Sequence, residues 1–204
     1  MSRVAAIQMT SQPDVQENLH VAAGLIARAA EQGAELVLLP ECFAALGNSH
    51  NTYRESRDYD FGNALVCLDS PVGRLGLSIC YDVRFPELYQ GLRLAGAELI
   101  VVPAAFTAVT GAAHWEVLLR ARAIETQCYL LAANQTGTHA GGRQTFGHSC
   151  LIDPWGELVA VLPEGPGIAA GELDRGLLSE VRQRMPPFCT ACFAAAGCQG
   201  VEPE

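Results

Sequence analysis

An eight-residue pattern occurs twice in this chain and restricts the folds it can adopt. Residues 33–40 read Gly-Ala-Glu-Leu-Val-Leu-Leu-Pro, and residues 96–103 read Gly-Ala-Glu-Leu-Ile-Val-Val-Pro. Each copy follows a predicted helix, and its apolar run is typical of a buried strand. The repeat therefore predicts two related α/β halves that pack sheet on sheet, with helices outside. Convergence of two buried strands on a similar composition is the alternative.

The N-terminal segment predicts a strand, a helix and a second strand. The apolar run over 3–9 predicts a buried strand. Asp14 is a favourable N-cap for the helix that follows, and Gly33 is a favourable end for it. The second strand is predicted over 36–39 and is stopped by Pro40. This order is the opening of a β-α-β unit.

The rest of the chain alternates strands and helices. Helices are predicted over 86–95, 114–127 and 177–184, and strands over 65–68, 74–79, 99–102, 129–133, 148–153, 158–162 and 168–173. The strands at 148–153 and 158–162 are predicted to form a hairpin. On the helix over 114–127, we expect Arg122 and Glu125 to pair on its surface.

Composition favours one globular domain and excludes several partners. The chain has 204 residues, of which 50% are hydrophobic, a net charge of −9 and a pI near 5.0. An acidic chain without a basic run is a poor ligand for nucleic acids and for anionic membranes. Its eight cysteines are irregularly spaced in a core-rich chain, which favours reduced thiols over a disulfide framework. No signal peptide is visible, so we expect a cytoplasmic protein, with a mitochondrial form as an alternative.

Two reactive side chains follow buried strands directly. Glu41 comes after the strand over 36–39, and Cys80 after the strand over 74–79. Ligands bind at the carboxyl ends of strands in open α/β sheets. The chain after Cys80 turns into a helix, whose N-terminus favours a thiolate and offers N–H groups to an oxyanion. Taken singly, a buried structural cysteine and a surface carboxylate remain the alternative.

Several longer motifs extend along the chain. They are Leu38-Leu39-Pro40-Glu41, the run Gly73–Leu88 around Ser78-Ile79-Cys80-Tyr81-Asp82, His114–Glu125, Gly147-His148-Ser149 and Asp153-Pro154-Trp155-Gly156. These motifs resemble those of the nitrilase superfamily of carbon–nitrogen hydrolases, and the resemblance covers residues 3 to about 185 and is most specific around Cys80. Within the superfamily, the chain is most similar to the branch of deaminated-glutathione amidases and ω-amidases.

The resemblance implies an αββα sandwich that pairs into homodimers and carries a Glu–Lys–Cys triad. Carried over by motif, Cys80 is the nucleophile, Glu41 the general base and Glu55 the second glutamate of the site. A small amide is the implied substrate, with a thioester intermediate and no metal or organic cofactor. An ordinary solvated carboxylate is the alternative for Glu55.

Substrate contacts are expected from residues near the nucleophile. Tyr81 directly follows Cys80, Arg84 lies three residues further along, and Phe106 opens a predicted loop over 106–111. The resemblance implies a hydrolase of linear C–N bonds that acts on an ω-amide of a small carboxylate.

The chain departs from the family pattern by lacking the lysine of the triad. All thirteen of its basic residues are arginines. The segment in which the family carries that lysine is absent, which predicts an internal deletion near 47–52 and the loss of part of one sheet. An arginine cannot shuttle a proton at neutral pH. We therefore expect a hydrolase domain over 1–185 with little or no amidase activity.

Three further interpretations stay open. The segment 186–204 is an atypical tail whose Cys189-x-x-Cys192 pair has no second half-site for a metal. A non-catalytic family member that binds a ligand or dimerises with an intact relative fits the missing lysine equally well. A Cys–His hydrolase using His114, His139 or His148 as its base is the other alternative.

Overall fold

The fold is taken from a computed structural model that describes residues 1–46 and 62–186. The helices are α1 (Val15–Glu31), α2 (Pro86–Leu94), α3 (Ala108–Thr126) and α4 (Arg175–Arg184), with short 3-10 turns at Cys80–Arg84 and Ala140–Gly142. The strands are β1 (Ser2–Gln8), β2 (Leu36–Leu38), β3 (Cys67–Ser70), β4 (Gly73–Leu77), β5 (Leu99–Ala104), β6 (Tyr129–Asn134), β7 (Thr136–Thr138), β8 (Gln144–Phe146), β9 (Ser149–Ile152), β10 (Leu158–Leu162) and β11 (Gly167–Leu173).

The strands form two main sheets of unequal size. One sheet has the strand order β10-β9-β6-β5-β4-β3, in which β4, β5 and β6 run parallel. The other has the order β11-β1-β2, in which β1 and β2 are parallel, as the β-α-β opening predicts. β9 and β10 form the predicted antiparallel pair.

Three hydrophobic cores separate four layers. A core between the two sheets contains residues of both, such as Val4 of β1 and Leu131 of β6. A second core lies between the three-stranded sheet and α1, and includes Ile7 and Leu25. A third lies between the six-stranded sheet and the helices α2 and α3. The layers are therefore helix, sheet, sheet and helix, which confirms the predicted αββα sandwich.

The two copies of the repeated pattern occupy equivalent places in the two sheets. Leu36 of β2 and Leu99 of β5 both face the core between the sheets. Their neighbours Val37 and Ile100 both face the helices outside. Because these successive positions face the same kinds of core in both copies, the structure favours two related halves over convergence.

The turn at the start of each copy is also the same in both halves. Gly33 and Gly96 have φ of +84° and +94°, a conformation that costs other residues energy. The glutamate two residues later donates its backbone N–H over 2.8 Å to the carbonyl of an arginine, Arg3 in the first half and Arg74 in the second. The local sequence thus fixes both helix ends and both strand starts.

Three features differ from the sequence-based expectations. α3 begins at Ala108, so most of the predicted loop over 106–111 is helical. Arg122 pairs with Glu125 as expected, but the pair is not on the surface, because Arg122 is buried where its face of α3 packs against the rest of the fold. The hairpin of β7 and β8 was missed, since its strands are three residues long and carry no apolar alternation. Within the described ranges, no helix has the length and apolar character needed to cross a membrane.

Candidate active site

Cys80 lies in a strained turn immediately beyond the carboxyl end of β4. Its φ is +39°, in the left-handed region that residues other than glycine rarely adopt. It begins the 3-10 turn Cys80–Arg84 and is partly buried. Such conformations persist where the surrounding structure holds them, and they cluster at functional sites.

Hydrogen bonds on either side hold this turn in place. Before it, both the backbone N–H and the hydroxyl of Ser78 donate to the carbonyl of Val101 on β5, over 3.2 and 3.0 Å. Within it, the Asp82 carboxylate accepts from the backbone N–H of Ile79 over 2.9 Å. The strand end and the turn therefore behave as one fixed unit.

Glu41 follows β2 in the other sheet and reaches across to the six-stranded sheet. Its carboxylate oxygen Oε2 accepts a hydrogen bond of 2.9 Å from the backbone N–H of Ala105. Its backbone carbonyl accepts a hydrogen bond of 3.0 Å from the side-chain amide of Gln135, at the end of β6. Glu41 is thus anchored by its side chain and its backbone at the carboxyl ends of β5 and β6.

The strand register brings the two predicted catalytic residues to one edge of the sheet. β4 and β5 are parallel, with Leu77 opposite Val101. Cys80 begins its turn three residues after the end of β4, and Ala105, which binds the Glu41 carboxylate, directly follows the end of β5. Cys80 and the backbone group that holds Glu41 therefore both lie just beyond the carboxyl ends of neighbouring parallel strands.

The dipeptide 105–106 at this edge has all four of its backbone polar groups engaged. The Ala105 N–H donates to Glu41, and the Ala105 carbonyl accepts from Arg143 Nη2 over 2.9 Å. The Phe106 N–H donates to the side chain of Asn134 over 2.8 Å, and the Phe106 carbonyl accepts from the N–H of Phe146 over 3.0 Å. A backbone bound on every side is a rigid base for a site.

The three residues predicted to contact substrate lie against one another. The Arg84 guanidinium is 5.1 Å from the ring centre of Tyr81 and 5.2 Å from that of Phe106. Tyr81 is 64% exposed, whereas Phe106 is 4% exposed and forms the wall behind the cation. Within residues 1–46 and 62–186, no carboxylate pairs with Arg84, and its buried Nε has no hydrogen-bond partner.

Two of the histidines considered as alternative bases have other roles. His139 is buried, and its Nδ1 donates to the Ser11 carbonyl over 2.8 Å while Nε2 lies 2.7 Å from the Thr145 hydroxyl. Burial lowers the pKa of His139. His148 stacks on the ring of Phe146 at 4.0 Å, and its Nδ1 bonds the carbonyl of the same residue. The third, His114, has its Nδ1 3.4 Å from Arg84.

The other cysteines differ in how accessible they are. Cys42 is exposed and follows Glu41 directly. Cys67 is partly buried. Burial raises the pKa of the Cys128 thiol and raises that of Cys150 to about 12, so both are poor nucleophiles.

Some predicted features lie outside the described residues, and some described ones were not foreseen. Glu55, the segment expected at the internal deletion and most of the tail fall outside. Arg143 and Asn134 were not predicted for the site. The signal for Asn134 was its position at the end of a buried strand, whereas Arg143 offered none. Within the described ranges, no group of three His, Cys, Asp or Glu side chains could hold a metal ion.

The sandwich fold agrees with comparisons to known protein families. The model of the carbon-nitrogen hydrolase family matches residues 3–58 and 48–183. The chain belongs to the carbon-nitrogen hydrolase family.

Relatives within the family carry more specific names. A deaminated glutathione amidase of Synechocystis sp. (strain PCC 6803 / GT-S) is 39% identical over 258 aligned positions, covering 89% of this chain and 95% of the relative. That alignment is longer than the present chain, so the relative contains residues with no counterpart here.

Solved structures show the same fold. Saccharomyces cerevisiae Nit3, a member of branch 10 of the nitrilase superfamily, superposes with a TM-score of 0.83 at 27% identity, covering 91% of this chain and 94% of Nit3. An amidase from Nesterenkonia sp. AN1, with acrylamide added at its active-site cysteine, gives 0.76 at 25% identity over 90% and 98% of the two chains.

Proposed function

We propose that this chain carries the site of an amidase in which Cys80 is the nucleophile and Glu41 the general base. The observation that carries the proposal is the hydrogen bond from the Ala105 N–H to Glu41, because Ala105 and Cys80 both lie just beyond the carboxyl ends of the neighbouring parallel strands β5 and β4. In this proposal the carboxylate and the thiol act together at that edge of the sheet. The Nesterenkonia amidase supports the assignment, since acrylamide adds to its active-site cysteine.

The reaction proceeds through a thioester. Glu41 accepts the proton of the Cys80 thiol as the sulfur attacks the amide carbon. The same proton then passes to the leaving nitrogen, so that ammonia departs and the thioester remains. Water, deprotonated by Glu41, cleaves the thioester, which releases the carboxylic acid and restores the thiol.

The substrate we propose is an amide that also bears a carboxylate, as an ω-amide does. Arg84 is a partly buried cation with an unused donor, and it is held between Tyr81 and Phe106 next to Cys80. A substrate carboxylate would satisfy that donor with a charge-assisted hydrogen bond. The names of the relatives, deaminated glutathione amidases, point to the same class.

We expect catalysis to be weak because the chain has no lysine. Loss of one group that stabilises an oxyanion costs about 10²–10³ in rate. An internal deletion near 47–52 would account for the missing lysine. The longer alignment with the Synechocystis relative supports such a deletion, and so does the small size of the sheet, which has three strands within the described residues. A homodimer in the cytoplasm, with Glu55 as second carboxylate, completes the proposal.

Ammonia release and thiol alkylation together test this function. The first assay measures ammonia from succinamate, an ω-amide of a small dicarboxylate, for the wild type and for Cys80→Ala. The second measures alkylation by acrylamide with peptide mapping, since Cys42 is exposed and serves as the internal reference. We expect Cys80 to react at least tenfold faster than Cys42, and Glu41→Gln to remove this advantage.

A non-catalytic binding partner is the second candidate, and the missing lysine favours it. That candidate predicts no ammonia above the Cys80→Ala background, while succinamate still protects Cys80 from acrylamide. Equal alkylation of Cys80 and Cys42, unaffected by Glu41→Gln, would rule out an activated thiol. Turnover at the rate of the Synechocystis amidase would show that the lysine is not needed.

A further inference from the structure

Arg143 reaches the candidate active site from a hairpin that the chemistry above does not use. It follows the 3-10 turn Ala140–Gly142 and directly precedes β8. Its Nη2 donates a hydrogen bond of 2.9 Å to the carbonyl of Ala105. The N–H of the same residue donates to the Glu41 carboxylate over 2.9 Å. One residue of backbone therefore separates the guanidinium from the predicted base.

This short path places a permanent positive charge close to the predicted base. The two hydrogen bonds and the covalent bonds between them limit the distance from Arg143 Nη2 to Glu41 Oε2 to about 10 Å. Charges at this distance interact appreciably in a partly buried site, because solvent ions screen them poorly there. In a chain without lysine, this charge comes from a guanidinium.

The hairpin that carries Arg143 is itself braced against the site. The Arg143 carbonyl accepts from the N–H of His139 over 2.8 Å. Thr145 forms an isolated bridge with Thr107, just before α3. The N–H of Phe146 donates to the carbonyl of Phe106. These bonds fix the backbone from which the arginine extends, so its hold on Ala105 does not depend on a free loop.

We propose that Arg143 is a positioning residue for the amidase reaction. It holds the Ala105 peptide so that its N–H stays on Glu41, and its charge favours the ionised form of the Glu41 and Cys80 pair. The inference rests on the proposed function, because it assigns a role toward the predicted base. Arg143 touches neither the substrate nor the reacting atoms in this assignment.

The test uses the full chain and the pH dependence of Cys80 alkylation by acrylamide. Arg143→Gln replaces the guanidinium by a shorter, neutral side chain, and we expect at least a tenfold slower alkylation at pH 7. We also expect the acid limb of the rate profile to move to higher pH, because the thiolate loses a favourable charge. Arg143→Lys keeps the charge and should restore the position of that limb in part.

Arg120→Gln is the matched control. Arg120 also donates to a backbone carbonyl, that of Gly156, over 2.7 Å. Gly156 lies in the turn between β9 and β10, at the amino-terminal end of the neighbouring β6 and thus opposite to the site. The control removes the same charge and the same kind of bond, and we expect its rate profile to match the wild type.

The outcomes separate this inference from the proposed function. If Glu41→Gln slows alkylation but Arg143→Gln leaves the rate and the profile unchanged, the inference is overturned and the proposed function stands. If Arg143→Gln slows alkylation by the same factor at every pH, Arg143 acts only as a structural brace, and the inference is also overturned. If Glu41→Gln has no effect, the proposed function itself fails. Should Arg143→Gln not fold, a wild-type profile for folded Arg143→Met would overturn the inference in the same way.

Discussion

The buried guanidinium of Arg122 on α3 donates a hydrogen bond of 2.9 Å to the backbone carbonyl of Val83, inside the turn that begins at Cys80. The Arg122 side chain is 7% exposed and forms an ion pair of 2.8 Å with Glu125. It also lies 5.7 Å from the ring centre of Tyr89 on α2. One cation therefore joins both outer helices to the backbone beneath the candidate nucleophile.

Arg122→Met should destabilise the fold by about 3 kcal/mol, because it leaves a buried carbonyl and a carboxylate without their partner. The free energy of unfolding in urea measures this. Arg184→Met is the control, since its ion pair with Glu180 is exposed on both sides and should cost less than about 1 kcal/mol. Equal losses in the two variants would contradict a special role for the buried arginine.

Gly111→Ala should destabilise the protein by about 1–3 kcal/mol through overpacking. A Cβ at Gly111 would lie 2.3 Å from the Cβ of Phe146, so α3 and β8 would have to separate. Gly24→Ala is the paired control, because a Cβ there meets nothing within 4 Å and should stabilise α1 by about 0.5–1 kcal/mol. The melting temperature should fall for Gly111→Ala and rise for Gly24→Ala. A rise for both variants would disprove the close approach of Gly111 and Phe146.

His139 should make stability fall on mild acidification. Burial lowers its pKa below the ordinary value of 6.5. The folded state thus favours neutral imidazole, and the stabilisation is complete above pH 6.5. It is lost as the pH falls from there to the lowered pKa of the folded state, because the unfolded chain binds the proton first. The free energy of unfolding in urea at pH 7.5 and pH 5.5 measures this loss. The difference between the two pH values should be smaller in His139→Gln than in the wild type. An unchanged difference in that variant would assign the effect to other groups.

Arg84→Gln should weaken recognition of the substrate carboxylate. A charge-assisted hydrogen bond contributes about 1.5–3 kcal/mol, which corresponds to roughly 10–100-fold in affinity. Protection of Cys80 from acrylamide by succinamate measures that affinity even without turnover. Propionamide, which has no carboxylate, should protect the wild type and the variant equally. A variant that loses protection by both amides would indicate a disturbed site rather than a lost contact.

The sequence by itself determined the elements that depend on local order. The repeated pattern at 33–40 and 96–103 set the positions of β2 and β5, because an apolar run between a helix-ending glycine and a proline leaves few other structures. The motif around Cys80 identified the family, since its order of residues is specific. The placement of Glu41 and Cys80 after strands followed from the same pattern.

Tertiary structure decided which groups those side chains meet. Glu41 binds the backbone of Ala105, a residue 64 positions away, and Arg143 binds the same residue from the other side. Arg122, expected on the surface, is buried because its helix face is covered by α2 and the turn at Cys80. Periodicity along the chain reports how one segment divides its faces between core and solvent. It carries no information on which distant backbone group will lie opposite, because that depends on how the two sheets and the hairpin pack together.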